Sequence, residues 1–205
     1  RGVHALLEHD GMFIVEVGYL PDVVAGKRFS VCYHEHLDVH HVAPLVGFFR
    51  GHGMTLVDGH RIDSQGGSIR LFVRNGGGEQ SERLRALLAE EDRGQLWDGV
   101  RRLSEAVDAA REQIRANAPL VLYGAPAKLT TLLAATGTAD CVSYVVDDNP
   151  AKISRFVPGT KIRILPVTTL YEQKPKRVMI TAWNFAEDIM RRHADLGCEW
   201  LVSNG

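Results

Sequence analysis

The densest group of chemically capable side chains in the sequence is Tyr33, His34, Glu35 and His36, with His40 and His41 close behind. An imidazole whose unperturbed pKa lies at about 6.5 can accept a proton at neutral pH, a neighbouring carboxylate can orient it, and a phenol can hydrogen-bond a substrate oxygen. The cluster therefore has the parts of an acid/base site, placed after a strand-rich segment and at the start of a helix, where an α/β sheet would use them. Two other readings stand beside it. Exposed histidines are common without any catalytic role. His36 and His40 are four residues apart and could share a helix face around a metal, but the Glu placement of HExxH and an obvious third ligand are missing, so no metal is expected.

A second group lies in the C-terminal part. The apolar run Leu120–Tyr123 leads into Gly124, Ala125, Pro126, Ala127 and Lys128 at the start of a helical pattern, and Asp147 ends the next apolar run. Strand, glycine turn, helix N-terminus and an acid at the end of the following strand are the parts of a nucleotide site, because unpaired helix amides attract phosphate. Gly124 is the only glycine of the GxGxxG pattern, and Pro126 removes one amide donor, so a nicotinamide dinucleotide is weakly supported. Lys128 could attract a diphosphate as a point charge or be simply solvated. Trp183, Asn184 and Phe185 follow another strand at the same edge, where ligands collect, although a tryptophan there can equally be core. Gln65, Gly66, Gly67, Ser68 and Arg70 surround a hairpin turn, and these glycines are read as serving its positive-φ conformations.

Hydrophobic periodicity supplies the elements that must position these groups. Residues 2–9 read as a short helix stopped by Gly11, and Met12–Val17 as a buried parallel strand. Pro21–Val31 has no clear period. Val42, Leu45, Val46 and Phe49 mark one face of an amphipathic helix, and Met54–Ile62 with Ser68–Arg74 an antiparallel hairpin with Ile69, Leu71 and Val73 inward. After Gly76–Gly78 the composition turns to Glu, Arg, Ala and Leu, which predicts two helices broken near Asp92–Gly94. The second carries a stripe of Leu96, Val100, Leu103, Val107, Ala110 and Ile114, suited to packing on another domain or a second copy. From Pro119 strands at Leu120–Tyr123, Val142–Val146, Ile162–Leu165, Val178–Thr181 and Trp200–Val202 alternate with a helix over Pro126–Thr136, a loop around Pro150–Pro158 and a helix through Ala194, which argues a small parallel sheet with covering helices.

Of 205 residues 45% are hydrophobic, enough for an ordinary globular core, and 24 Lys+Arg against 25 Asp+Glu leave no field to draw a nucleic acid. Three scattered cysteines form neither a disulfide framework nor a zinc pair and suit a reducing cytoplasm. No apolar run approaches the roughly 20 residues of a membrane span. The start, RGVHALLEHDG, is not a targeting segment and reads as mid-helix, so a piece of something longer is expected.

YHEHL (Tyr33–Leu37), GGSIR (Gly66–Arg70), YGAPAKLTTLL (Tyr123–Leu133), VVDDNPAKISRFVPGTKI (Val145–Ile162) and AWNFAEDI (Ala182–Ile189), in this order, resemble the C-terminal portion of the sugar C-methyltransferases that act on nucleotide-activated deoxysugars. The resemblance covers nearly the whole chain. It implies an α/β fold: the end of a class I methyltransferase-like sheet over 1–75, a helical connector over 76–118, and a Rossmann-like C-terminal α/β domain over 119–205. It implies methyl transfer from S-adenosylmethionine to the carbon next to the keto group of a dTDP-linked sugar, with His36 as general base and Tyr33 and Glu35 as its neighbours. Gly124, Lys128, Asn149, Trp183 and Asn184 are expected to hold the nucleotide-sugar substrate. The family's glycine-rich cofactor motif and its cysteine-rich zinc region lie ahead of the part this chain resembles, and the family's GGS segment follows a His where this chain has Gln65. The chain alone is therefore expected to bind cofactor weakly. The alternatives are a non-catalytic nucleotide-sugar binding or assembly module and a nicotinamide oxidoreductase.

Overall fold

A computed structural model describes residues 2–64, 67–91 and 93–203. The chain divides into two compact units that interleave in sequence: residues 1–26 with 38–101, and residues 27–37 with 102–205.

In the first unit α1 (Gly2–Leu6) precedes β1 (Phe13–Gly18), α2 (Leu20–Ala25), α3 (Val42–Arg50), β2 (Met54–Ile62), β3 (Ser68–Asn75) and α4 (Glu82–Glu90). The sheet order is β1-β3-β2, with β3 antiparallel to both neighbours, so the sequence-adjacent hairpin is extended by a non-local pairing of Val15 with Leu71. As the central strand, β3 buries Ile69, Leu71 and Val73 completely against Phe49 of α3 and Leu84 and Leu87 of α4. Two polar devices fix those helices. Ser81 caps α4 by accepting the Leu84 N–H at 3.1 Å. Glu91, its side chain 1% exposed, accepts the first two amides of α3, Val42 at 2.6 Å and Ala43 at 2.8 Å. This three-stranded arrangement is consistent with the methyltransferase-like ending that the resemblance implies.

The first unit continues into α5 (Arg93–Ala116), which runs into the second. The C-terminal part of its stripe, Leu103, Val107, Ala110 and Ile114 with Ala106 beside them, packs on the core of the second unit, whereas Val100 and Trp97 are exposed and the side chain of Leu96 lies outside the described residues. The second unit then alternates β4 (Leu120–Tyr123), α6 (Ala127–Thr136), β5 (Val142–Asp147), β6 (Ile164–Pro166), α7 (Thr168–Gln173), β7 (Arg177–Ile180), α8 (Ala186–Arg192) and β8 (Glu199–Val202). All five strands are parallel, in the order β6-β5-β4-β7-β8.

A parallel sheet covered on both faces needs apolar residues at every position, and β4 is buried throughout. Its alternate residues serve different layers: Leu120 and Leu122 face α5 and α6, while Val121 and Tyr123 lie with α7 and α8. From β4 the chain builds outward through β5 to β6, then returns past β4 to lay down β7 and β8. The strand order thus reverses between β4 and β7, and the crevice beyond their carboxyl ends is where sheets of this topology bind ligands.

The structure differs from the sequence reading at short elements. Pro21–Val31, without period, holds α2 and a 3-10 turn at Phe29–Val31, and α7 fell outside the predicted elements altogether. Six residues make fewer than two helical turns, too few for a period to emerge. The helix expected to reach Ala194 ends at Arg192 and gives way to a 3-10 turn over Ala194–Leu196, and β6 begins at Ile164 rather than Ile162.

Candidate functional site

Everything needed to build the site lies in the second unit. The segment 27–37 belongs to it because Phe29 is buried among Leu129, Leu132, Leu133 and Ile114, which seats the Phe29–Val31 turn on α6. Thr131 of α6 ties down the next residue, its hydroxyl donating to the Cys32 carbonyl at 3.3 Å.

Beyond that anchor the chain folds back on itself. The His36 amide donates to the Tyr33 carbonyl at 2.8 Å, and the His36 ring returns its Nδ1 to within 2.8 Å of the Val31 carbonyl. A carbonyl only accepts, so Nδ1 carries the proton. That leaves Nε2 as the basic nitrogen, and the Tyr33 hydroxyl donates to it at 3.0 Å, with ring centroids 4.2 Å apart. Burial, and then the charge of Glu35, raise the Tyr33 pKa above that of an ordinary phenol, so the hydroxyl keeps its proton at neutral pH. Glu35 itself lies 3.8 Å from His34 in an exposed pair; the group that orients His36 is a backbone carbonyl. Residues 32–41 contain no helix, so the i, i+4 spacing of His36 and His40 defines no shared helix face, and the cluster precedes α3 rather than opening it. Among the described residues no three His, Cys, Asp or Glu side chains gather as metal ligands.

At the carboxyl ends of β4 and β7, Gly124 makes the turn into α6. Its φ of +95° and the 3.0 Å at which a β-carbon would meet the Ala182 methyl both require glycine. Lys128, in the first turn of α6, donates to Asn184 Oδ1 and holds its ammonium 4.0 Å from the centroid of the Trp183 ring. The guanidinium of Arg28 stands 5.3 Å from the same centroid. Burial, and secondarily the charge of Arg28, lower the Lys128 pKa to about 8. The indole Nε1 of Trp183 is buried without a hydrogen-bond partner.

The structure therefore brings Tyr33 to His36, and Lys128 to Trp183 and Asn184. Asn149 serves a turn: its side-chain oxygen accepts the Ala151 N–H at 2.9 Å. Asp147, read as a nucleotide-site acid, is turned inward instead. Its oxygens accept the Ala125 N–H at 2.6 Å and the Asn149 N–H at 2.8 Å, with Lys152 at 3.3 Å, and it is 7% exposed. Three of its roughly four acceptor sites are taken within the turn and the side chain is buried, so the acid braces the turn and gives little support for a dinucleotide. Of the hairpin-turn residues, Gln65 and Gly66 lie outside the described residues; Gly67 has φ +119°, and Arg70 pairs with Glu16 across the sheet at 2.9 Å. Arg28 was not singled out from the sequence, where it sits in the stretch without period and carries no motif.

The chain belongs to the C-methyltransferase C-terminal domain family, whose model matches residues 63–203. It is 32% identical over 204 residues to the C-methyltransferase NovU of Streptomyces niveus, an alignment covering 93% of this chain and 48% of that protein. The chain thus spans about half the length of the curated relative it matches.

Proposed function

We propose that this chain is part of an S-adenosylmethionine-dependent C-methyltransferase that alkylates the carbon next to the keto group of a nucleotide-linked deoxysugar, and that its own contribution is proton removal and a grip on the nucleotide end. Family membership and the relative's name support methyl transfer to carbon. The sugar nucleotide rests on the motif resemblance together with the cationic groups at the β4 and β7 ends. The five-stranded sheet does not fit the adenosyl group, since Pro126 offers no amide and Asp147 is consumed in holding the turn. S-adenosylmethionine supplies the electrophilic methyl group, and the residues described here act on the other reactant.

The observation that carries the reading is the pinned tautomer of His36. With Nδ1–H held by the Val31 carbonyl, Nε2 takes the proton from the carbon beside the keto group. Its one lone pair accepts the Tyr33 hydroxyl in the resting site, so the phenol must turn from Nε2 as substrate enters, which frees its proton to hydrogen-bond the enolate oxygen as charge develops there. Glu35 acts through its charge, helping to keep that phenol protonated.

Deuterium exchange from solvent at the substrate carbon, followed by NMR without a methyl donor in the enzyme containing this chain, tests the assignment. His36→Ala should slow exchange by roughly 100-fold or more, and Tyr33→Phe by less, since positioned acid/base groups contribute on that order. Undiminished exchange in His36→Ala would place the base elsewhere.

A further inference from the structure

Arg28 and Lys128 are two cations on one indole ring, and among the described residues no carboxylate pairs with either of them. A single cation on an aromatic face is a common structural contact. Two cations converging on the same ring repel each other; burial first, and the charge of Arg28 second, lower the Lys128 pKa. Lys128 is met by the Asn184 side-chain oxygen and the indole face, both neutral, so among the described residues no negative charge offsets the repulsion, and Trp183 adds a buried N–H that has no acceptor. The arrangement has the charge and the donors for an anion, at the strand ends where the topology places ligands.

Resting on the function proposed above, we propose that Arg28, Lys128 and the Trp183 indole N–H form a clamp for the diphosphate of the nucleotide-linked substrate, and that this clamp seats the segment carrying the Tyr33–His36 pair. Two phosphate charges match two cations, whereas a neutral sugar or a single carboxylate leaves one cation unopposed. Arg28 immediately precedes the Phe29–Val31 turn, and the carbonyl of Val31 orients His36. A diphosphate bridging Arg28 to Lys128 therefore ties segment 27–37 to α6 from one end, while Thr131 holds it at Cys32. Substrate lacking the diphosphate would lose positioning of the base as well as affinity, because binding energy from the remote end is used to order the reacting end.

The test is calorimetric titration of the 205-residue chain with inorganic diphosphate and, separately, inorganic phosphate. Diphosphate should bind more tightly than phosphate, and Arg28→Met and Lys128→Met should each weaken it by roughly 10-fold or more, as expected for charge-assisted hydrogen bonds. Arg28→Lys, which keeps charge but loses the fork, should fall between Arg28→Met and the unaltered chain and serves as a check on folding, alongside unchanged melting. Hydrogen exchange at the amides of Cys32 and His36 should slow when diphosphate is present. Diphosphate affinity unchanged in both methionine variants, or equal affinity for phosphate and diphosphate, overturns the clamp. Absence of slowed amide exchange overturns its link to the base. Failure of the methyltransferase reading looks different: diphosphate still binds through Arg28 and Lys128, while the keto-sugar carbon exchanges no faster than in buffer.

Discussion

Substituting alanine for Gly124 tests whether the turn between β4 and α6 is held by contact or only by conformation. Gly137, the left-handed cap of α6, is the reference: its φ is +62° and a β-carbon there meets nothing within 4 Å. Gly137→Ala therefore incurs only the left-handed penalty of about 1–2 kcal/mol, partly offset by the ~0.4–1 kcal/mol gained from a stiffer unfolded chain, for a net loss near 1 kcal/mol. Gly124→Ala carries at least that backbone cost, its φ of +95° lying farther from the left-handed minimum, and adds a methyl 3.0 Å from the Ala182 methyl and 3.4 Å from Thr181 Oγ1. Neither neighbour yields readily, because Thr181 donates to the carbonyls of Gly124 and Tyr123 at 2.6 and 3.1 Å, and its backbone N–H donates to Tyr123 at 3.0 Å. Overpacking of this kind costs about 1–3 kcal/mol, which brings Gly124→Ala to a loss of roughly 2–4 kcal/mol. Urea unfolding of the two variants, followed by circular dichroism and by tryptophan fluorescence, gives the comparison. If the two losses agree within about 0.5 kcal/mol, the close approach of the turn to the end of β7 has no energetic weight and the reasoning fails.

Two further outcomes follow from the first unit. Glu91→Ala should lower stability by about 1–3 kcal/mol, since it strips the amide of buried Val42 and that of exposed Ala43 of a charged acceptor; a thermal melt shifted by no more than a surface substitution would refute it. Asp58 is held at a pKa of about 2, below its ordinary 3.8, chiefly by the hydrogen bond from Arg83, and also by the Ser81 hydroxyl at 2.6 Å and the Gly59 amide. A carboxylate whose folded pKa is depressed contributes stability that is complete above its unfolded value and is lost as pH falls from about 3.8 through about 2. Asp58→Asn should flatten the stability profile in that window and leave the profile from pH 5 to 7 with its slope unchanged, as read by urea midpoints across pH; an equally steep acid limb in the variant would remove Asp58 as the cause.

The parallel sheet was legible because a strand covered on both faces is apolar throughout, as Leu120–Tyr123 and Val178–Ile180 are and as Val142–Val146 is save for the exposed Ser143. The β2–β3 hairpin was legible for a different reason: alternation and a local turn fix its register. The pairing of β3 with β1 was not, since no local signal joins Val15 to Leu71 across the residues between them. Segment 27–37 lies with the second unit through the buried Phe29–Val31 turn, the Thr131 hydrogen bond to Cys32 and the contact of Arg28 with Trp183, and nothing in its composition distinguishes it from a loop of the first. The Tyr33–His36 contact was partly legible, because three residues of separation lets side chains meet wherever the chain turns. The orienting group was not, because any carbonyl can serve and a sequence does not say which one is near.

Asp147 and Arg28 show how a motif can mark a crevice in the fold without marking the side chains that line it. Strand, glycine turn, helix and a following acid locate the crevice at the ends of β4 and β7 correctly, since that order of elements is a statement about topology. Which side chain faces the ligand depends on hydrogen-bond supply. Pro126 leaves the turn with one fewer amide to stabilise its approach, and Asp147 supplies acceptors to Ala125 and Asn149, becoming the brace of the turn. With the acid committed inward, the charge left at the crevice is that of Lys128 and Arg28, drawn from elements nearly a hundred residues apart in sequence. In the clamp proposed above the crevice offers donors to phosphate rather than an acceptor to ribose hydroxyls, and the same segment that brings Arg28 to it brings the His36 imidazole.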